Sequence, residues 1–203
     1  MTPIFVVQMA GASGAGKSTL AREVARRTGG VVLDYDTVKS TVLDCGIPIA
    51  SSGPLSYALL RSIAGSLLEQ GHPVFLDSGC FWQQCLIEGQ ALARRMACAY
   101  LYVECVLKDY AELDRRMRER PRLRSHRGGI GVLPPDLKDE GRPGIDVVCD
   151  WVERQARPEE PFLVDTSRPL DDCVRKTVRY VSGAVAGRRR GPARDEVTAE
   201  GTR

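Results

Sequence analysis

Eight residues near the N-terminus, GASGAGKS at positions 11–18, match the phosphate-binding pattern G-x-x-x-x-G-K-[ST]. Such a loop lies between a buried strand and a helix, because its backbone N–H groups and the positive end of the helix must face the same anion. The flanking sequence meets this condition, since residues 4–7 are apolar and residues 18–27 have helical character. We therefore expect a loop that wraps the phosphates of a nucleoside triphosphate.

The positions of this loop have distinct expected roles. Lys17 should reach the outer phosphates, and the Ser18 hydroxyl should be a ligand of Mg²⁺. The full set expected to bind the nucleotide is Gly11, Ala12, Ser13, Gly14, Ala15, Gly16, Lys17, Ser18 and Thr19. The predicted cofactors are therefore ATP and Mg²⁺.

Composition narrows the class of protein. A chain of 203 residues forms one domain with a full α/β core, and its net charge of +3 argues against a large nucleic-acid footprint. The seven cysteines contain no C-x-x-C pair, which favours reduced thiols in a cytoplasmic protein. No apolar run is long enough to span a membrane, and the N-terminus leads directly into a strand, so we expect neither a membrane segment nor a signal peptide.

Apolar β-rich segments alternate with helical ones, which predicts an α/β fold whose mostly parallel sheet is covered by helices on both faces. Strands are expected near residues 4–10, 31–35, 73–77, 99–105 and 161–165. Helices are expected near residues 18–27, 54–70, 84–97, 111–120, 147–156 and 169–184. Pro54 should begin the second helix, and one face of that helix should carry Leu55, Leu59, Ile63, Leu67 and Leu68.

Two regions depart from this alternation. Residues 121–146 are rich in Gly, Pro and charge, and an irregular segment of this length inside a domain is usually a functional lid or an insertion. We expect one domain over residues 1–186, with the lid at about 115–146. The Arg-rich residues 187–203 should be a disordered tail.

Three carboxylates fall where an open α/β sheet places its ligand crevice, at the carboxyl ends of strands. Asp34 and Asp36 follow the second predicted strand, and one of them can accept the proton of an attacking hydroxyl while the other caps the next helix. Asp36 is the preferred base. Asp77 ends the third strand and is expected to hold Mg²⁺ with Ser18, the alternative being a helix cap.

Basic and aromatic residues supply the remaining candidates. Residues 115–127 contain seven arginines and one acid, and Arg116 and Arg120 lie four apart, on one helical face. Guanidinium groups stabilise the charge of a transferring phosphoryl group, although a charge run is also typical of a solvated helix face. Lys39, Tyr57 and Trp82 are candidates to line an acceptor pocket, with Phe81 as a further aromatic. The alternatives are a solvated lysine and core aromatics.

These motifs resemble the single-domain P-loop kinases that group with phage-type polynucleotide kinases, zeta-type toxin kinases and chloramphenicol phosphotransferase. The matching segments are GASGAGKST, VVLDYDTVKS, GHPVFLDS, RRMRER and ERQARPEEPFLVDTS, within residues 4–183. The resemblance implies a five-stranded sheet of order 2-3-1-4-5 and an arginine-bearing lid. The segment 121–146 is longer and richer in Gly and Pro than a minimal lid of this group.

The resemblance also assigns roles to residues. It implies that Asp36 is the catalytic base, that Asp34 supports or caps, and that Arg116 and Arg120 are the lid arginines. It places the basic acceptor contact of these families at Lys39. Asp34, Asp36, Lys39, Tyr57 and Trp82 are thus the predicted acceptor-binding residues.

The resulting prediction is an ATP- and Mg²⁺-dependent kinase that phosphorylates a hydroxyl group of a small molecule, such as an antibiotic, a sugar or a nucleoside. Asp36, Lys17, Arg116 and Arg120 would be its catalytic residues. Two alternatives stay open: a kinase of polynucleotide 5′-hydroxyl ends, and a regulatory module that binds ATP without catalysis. The sequence leaves the acceptor and the oligomeric state undetermined.

Overall fold

A computed structural model describes residues 3–138 and 141–189 of the chain. Its centre is a sheet of five parallel strands in the order β2-β3-β1-β4-β5. The strands are β1 Phe5–Ala10, β2 Val31–Asp34, β3 Val74–Asp77, β4 Ala99–Val106 and β5 Phe162–Asp165. The predicted fold class and strand order are both confirmed.

Helices connect the strands and cover both faces of the sheet. They are α1 Lys17–Thr28, α2 Tyr35–Asp44, α3 Ile49–Glu69, α4 Gln83–Arg95, α5 Tyr110–Glu119, α6 Gly144–Glu153 and α7 Leu170–Arg189. Leu20 and Val24 of α1 and Val174 of α7 pack on one face of the sheet, in the same core cluster as Val7 and Met9 of β1. Leu60 and Leu68 of α3 and Leu92 of α4 pack on the other face, against Val6 of β1. The alternation of side chains along β1 thus feeds two cores and produces three layers.

Helix α3 differs from the sequence prediction in its start and in its buried face. It begins at Ile49 after Pro48, so Pro54 lies inside the helix instead of at its first turn. Leu55, Leu59 and Ile63 are exposed, whereas the buried face is formed by Ser52, Ser56, Leu60, Ala64, Gly65 and Leu68. The small residues of this buried face let the helix approach the sheet closely. A prediction based on the spacing of large apolar residues does not detect such a face.

The described residues of the predicted lid contact helices on either side. Between α5, which ends at Glu119, and α6, which begins at Gly144, the described residues form no helix or strand, and a bridge joins Gly129 to Val132. Arg124 donates to Leu43 O of α2 at 2.9 Å and forms a two-point contact with Asp136 at 2.7 and 2.8 Å. Ile130 N donates to Asp114 Oδ1 of α5. The segment is therefore attached to both α2 and α5.

Two further predictions concern the ends and surface of the chain. Residues 187–189 continue helix α7, and the rest of the predicted tail, 190–203, lies outside the described residues. Within the described ranges, every helix is too short or too polar to cross a lipid bilayer.

Candidate active site

The loop between β1 and α1 has a backbone that only glycine permits at two positions. Gly11 has φ +122°, and a Cβ atom there would lie 2.3 Å from Cys105 O. Gly14 has φ +85°, and its Cβ would lie 2.8 Å from Leu113 O. Gly16 caps helix α1 in the left-handed region, with φ +87°. These conformations turn the loop sharply between the strand and the helix, as phosphate binding requires.

Most of the predicted nucleotide-binding residues border one large cavity. Ser13, Gly14, Gly16, Lys17, Ser18 and Thr19 line a cavity of about 1160 Å³. Lys17 Nζ donates to Ala12 O at 2.8 Å, so the ammonium group is folded over the loop. The loop residues Gly11, Ala12 and Ala15 do not line the cavity, because they are buried in the protein interior.

Asp77 and Ser18 face each other where a divalent cation is expected. Asp77 is 4% exposed, and its register with Asp34 places the two carboxylates side by side at the ends of β3 and β2. Burial raises the pKa of Asp77 to about 6, while the charge of Lys17 and a hydrogen bond from Ser18 oppose that increase. Asp77 Oδ2 has no hydrogen-bond partner among the described residues. A buried carboxylate oxygen beside a loop hydroxyl fits Mg²⁺, which prefers oxygen ligands.

Asp34 has the capping role that was one of its two predicted alternatives. Its Oδ1 accepts hydrogen bonds from Asp36 N at 3.0 Å and Thr37 N at 3.2 Å, which fixes the first turn of α2. Its Oδ2 accepts from Arg22 Nη2 at 3.0 Å. With both oxygens engaged, Asp34 orients the backbone that carries Asp36.

The Asp36 carboxylate is held by two residues of the predicted lid. His126 Nε2 lies 3.3 Å from Asp36 Oδ2, and Ser125 Oγ lies 3.3 Å from Asp36 Oδ1. Ser125 is in turn fixed by Ser40 on α2, through contacts of 3.0 Å to both its N and Oγ. Burial opposes ionisation of Asp36, but the hydrogen bond from His126 and the charges of Lys17 and Arg120 outweigh it. The pKa of Asp36 therefore lies below its ordinary value.

Sequence reasoning did not select His126, although its environment defines a specific state of the ring. Leu123 N donates to His126 Nδ1 at 3.2 Å, which makes Nδ1 an acceptor. The neutral ring must then carry its hydrogen on Nε2, which faces Asp36. The only signal in the sequence was its position within the Arg-rich lid, because the contact joins residues 90 positions apart in the chain.

Both predicted lid arginines lie against the phosphate-binding loop. Arg120 Nη2 donates to Ser13 Oγ at 3.0 Å, and its buried Nε has no partner among the described residues. Arg116 donates to Glu112 at 2.7 Å and to Thr166 O at 3.2 Å, and its Nη1 would lie 3.9 Å from a Cβ placed on Gly16. Helix α5 and Arg120, the residue directly after it, therefore bring two guanidinium groups to the side of the loop where outer phosphates would lie.

Aromatic side chains form the opposite wall of the cavity. Tyr35 stacks on Tyr57 with ring centroids 4.3 Å apart, and Lys39 Nζ lies 5.9 Å from the centroid of Tyr35. Burial lowers the pKa of Lys39, and the charge of Asp36 opposes that effect. Trp82 lines the cavity but is 67% exposed, so it lies at the rim.

Comparison with known proteins places this site in a family. The model of the AAA domain family matches residues 6–128, a segment that includes the phosphate-binding loop, Asp36, Asp77 and the arginines of α5. The chain belongs to the AAA domain family. None of the curated proteins matches it.

Solved structures of small P-loop kinases have the same fold as this AAA domain. A gluconokinase from Sinorhizobium meliloti 1021 is 17% identical, with a TM-score of 0.61 over 93% of this chain and 97% of its own. The APS kinase CysC of Mycobacterium tuberculosis, in complex with AMPPNP and APS, is 18% identical, with a TM-score of 0.62 over 90% of this chain and 99% of its own. A sugar kinase from Janibacter sp. HTCC2649 is 17% identical, with a TM-score of 0.60 over 91% and 97%. The predicted small P-loop kinase fold is thus confirmed.

The AAA domain brings the predicted acceptor residues together as well. Asp34, Asp36, Lys39, Tyr57 and Trp82 all line the same cavity as the phosphate-binding loop. Their functional roles stay predictions. The wall also contains Tyr35, Ser125, His126 and Trp151, which the sequence did not indicate, together with Arg127, which the sequence placed only within the Arg-rich run 115–127. Three of these five residues come from the irregular segment after α5. A segment without helix or strand has no periodic pattern from which the direction of a side chain could be predicted.

Proposed function

We propose that this protein is a kinase that transfers the γ-phosphoryl group of ATP to a hydroxyl group of a small molecule. The observation that carries the proposal is the position of Asp36. Its carboxylate lines the cavity that holds the phosphate-binding loop, and it is close enough to Lys17 and Arg120 for both charges to lower its pKa. A module that only binds nucleotide has no need of a base at this place.

The residues divide the reaction between them. The backbone of the loop and Lys17 bind the phosphates, and Asp36 orients the acceptor hydroxyl and takes its proton. As the bond between the acceptor oxygen and the γ-phosphorus forms, the bond from that phosphorus to the β-phosphate oxygen breaks, and ADP leaves. Arg116 and Arg120 stabilise the negative charge on the transferring oxygens.

Ser18 and Asp77 are the residues that would hold Mg²⁺, as the unpartnered oxygen of Asp77 suggests. When bound, this ion neutralises charge on the β- and γ-phosphates. Burial leaves the Asp77 carboxylate without full solvation, so a cation compensates it.

The solved structures with the same fold favour a small acceptor. These proteins are a gluconokinase, an APS kinase and a sugar kinase, and their names describe small-molecule acceptors. The near-neutral net charge of +3 points the same way, since binding of a polynucleotide backbone usually requires a basic surface.

The test is an assay of phosphoryl transfer from ATP in the presence of Mg²⁺, across sugars, sugar acids, nucleosides, hydroxyl-bearing antibiotics and 5′-hydroxyl oligonucleotides. Asp36→Asn should lower turnover of a responding acceptor by about 100- to 10,000-fold, because it removes the base. Its affinity for ATP should stay within about twofold, since Asp36 lies outside the phosphate-binding loop.

Asp171→Asn is the matched control, because Asp171 is an exposed residue of α7 that lies outside the cavity. It should leave turnover unchanged. Full turnover in Asp36→Asn would refute the assignment of the base. A preference for oligonucleotides over every small molecule would replace the proposed acceptor with a polynucleotide end.

A further inference from the structure

Arg127 is a buried cation without an anionic partner in the described part of the chain. The residue is 5% exposed, and its Nε has no hydrogen-bond partner among the described residues. Nη2 donates to Ile130 O at 2.7 Å, and the guanidinium carbon lies 5.3 Å from the ring centroid of Trp151. A carbonyl and an aromatic face solvate the group only in part, so its positive charge remains uncompensated.

Arg157, another inward-facing arginine, differs from Arg127 because its guanidinium group has a carboxylate partner. Arg157 forms two hydrogen bonds of 2.8 Å with the carboxylate of the buried Glu104. Glu104 raises the pKa of Arg157, whereas burial lowers the pKa of Arg127 and no carboxylate opposes it. A buried charge without a partner is costly to stability, so its presence at a cavity calls for a ligand that supplies the opposite charge.

The location of Arg127 is on the acceptor side of the cavity. Its neighbour in the chain, His126, contacts Asp36. The ring under Arg127, Trp151, packs against Phe81 at 5.6 Å between centroids, and Phe81 follows the end of β3. The phosphate-binding loop already has Arg116 and Arg120 beside it, and all of these residues line the same cavity.

We propose that the acceptor carries an oxyanion group, a phosphate, sulfate or carboxylate, which Arg127 binds while the acceptor hydroxyl faces Asp36. The proposal rests on the proposed kinase function and narrows it to anionic acceptors. Half-buried Lys39 adds a second positive charge to the same wall. Neutral sugars and unmodified nucleosides would leave the Arg127 charge without compensation and should be poor acceptors.

Trp151 allows binding at Arg127 to be measured without knowing the acceptor. The chain has two tryptophans, so a Trp82→Phe background leaves Trp151 as the sole indole fluorophore. Because Trp82 also lines the cavity, the wild type is titrated alongside this background. With the nucleotide site saturated by Mg–AMPPNP, titration with inorganic sulfate and with inorganic phosphate should give a saturable fluorescence change. Arg127→Gln should weaken this binding at least about tenfold, and Arg127→Lys should weaken it less, because it keeps the charge.

Arg118→Gln provides a control, since Arg118 is exposed and contacts only its helix neighbour Asp114 among described carboxylates. It should titrate like the background protein. A saturable signal that appears only without nucleotide would overturn the proposal, because Arg127 would then serve the phosphates of ATP. The absence of any saturable change, in the background protein and at all salt concentrations tested, would also overturn it.

A kinetic arm separates this proposal from the kinase function on which it rests. Acceptors are compared in pairs that differ by one anionic group, such as gluconate with sorbitol, in which a CH2OH group replaces the carboxylate, and a nucleoside 3′-monophosphate with its nucleoside. The charged member should have at least a tenfold higher kcat/KM, and Arg127→Gln should remove most of that preference. If both members of a pair have equal kcat/KM and turnover depends on Asp36, the proposal of an anionic acceptor is wrong, but the proposed kinase function is supported. If oxyanions bind at Arg127 but no acceptor is phosphorylated, the oxyanion site is supported and the proposed kinase function is wrong.

If Arg127→Gln fails to fold, two measurements still test the anionic acceptor: the titration of the Trp82→Phe protein and the comparison of paired acceptors. Neither of them requires Arg127→Gln.

Discussion

The two halves of the cavity are built on different principles. On the donor side, one continuous segment, residues 11–18, forms the loop expected to bind the phosphates, and its shape is fixed by glycine backbones. On the acceptor side, the wall consists of single side chains from α2, α3, α6, the residues just before α4 and the segment after α5. Local sequence determines the first half, and tertiary packing determines the second.

This difference shows where specificity can change within one fold. The donor half depends on backbone conformation, so few substitutions are compatible with it. The acceptor half depends on which side chains the surrounding helices and the lid happen to present, so it can vary without loss of the nucleotide site. Variants of each half should therefore affect different measurements: donor variants should change nucleotide binding and folding, and acceptor variants should change turnover and acceptor KM.

On the donor side, the largest effect should come from Lys17→Ala. Removal of the ammonium group should lower kcat/KM for ATP by about 100- to 1000-fold, as for the loss of other groups that stabilise transition-state charge. Affinity for ATP should fall together with turnover. Lys108→Ala is the control, because Lys108 is exposed and does not line the cavity. Normal ATP binding and turnover in Lys17→Ala would invalidate the assignment of the donor site.

The next largest effect should come from Gly11→Ala, measured as stability. The added Cβ would lie 2.3 Å from Cys105 O in a backbone with φ +122°, so either the loop or β4 must move. We expect a loss of about 1–3 kcal/mol in the free energy of unfolding, together with weaker ATP binding. Gly183→Ala, on α7 with open space around it, should instead be neutral or stabilising. Equal melting temperatures for the two variants would contradict the strain described for the loop.

The sequence was sufficient to predict the donor half because its constraints are local. A strand, a glycine turn and a helix are contiguous, so motif and context together predict the loop and the following helix, while the role of Ser18 as a metal ligand stays a prediction. Asp77 was predicted for a related reason, since parallel strands bring their carboxyl ends to one edge of the sheet. Strand order came from the resemblance to P-loop kinases, and alternation of elements alone predicted only a parallel sheet.

The acceptor half and the face of α3 were not predictable in the same way. Leu55, Leu59 and Ile63 form an apolar row at helical spacing, but the buried row is the neighbouring one, with Ser56, Leu60 and Ala64. Hydrophobic spacing defines a face without saying which of two overlapping faces meets the sheet. The contact between Asp36 and His126 depends on how the segment after α5 folds back onto α2, which no local pattern encodes.

On the acceptor side, His126→Phe should have a moderate effect that depends on pH. Phenylalanine keeps a ring but donates no hydrogen bond, so burial of Asp36 would be less opposed and the pKa of Asp36 would rise. The variant should therefore lose activity at a higher pH than the wild type as the solution is acidified. We expect kcat to be about tenfold lower, since a hydrogen bond to a charged group contributes about 1.5 kcal/mol. ATP affinity should not change.

The pH profile distinguishes this positioning role from a general loss of structure. His72→Phe is the matched control, because His72 is the other histidine and does not line the cavity. Its profile should superimpose on that of the wild type. If the acidic side of the pH profile of His126→Phe also superimposed on that of the wild type, the contact between His126 and Asp36 would have no effect on the pKa of the Asp36 carboxyl group.

The smallest effect should come from Arg124→Ala, which removes a connection between the lid and α2. Arg124 donates to Leu43 O at 2.9 Å and engages Asp136, but it is exposed, so its ion pairs contribute little to overall stability. We expect acceptor KM to rise about threefold, with ATP affinity and melting temperature unchanged, because only the placement of Ser125 and His126 is loosened. Arg118→Ala, which removes an exposed pair within α5, should change neither KM. An equal rise in the KM of ATP would show that the lid couples the two halves of the cavity, and that the division between donor and acceptor sides is incomplete.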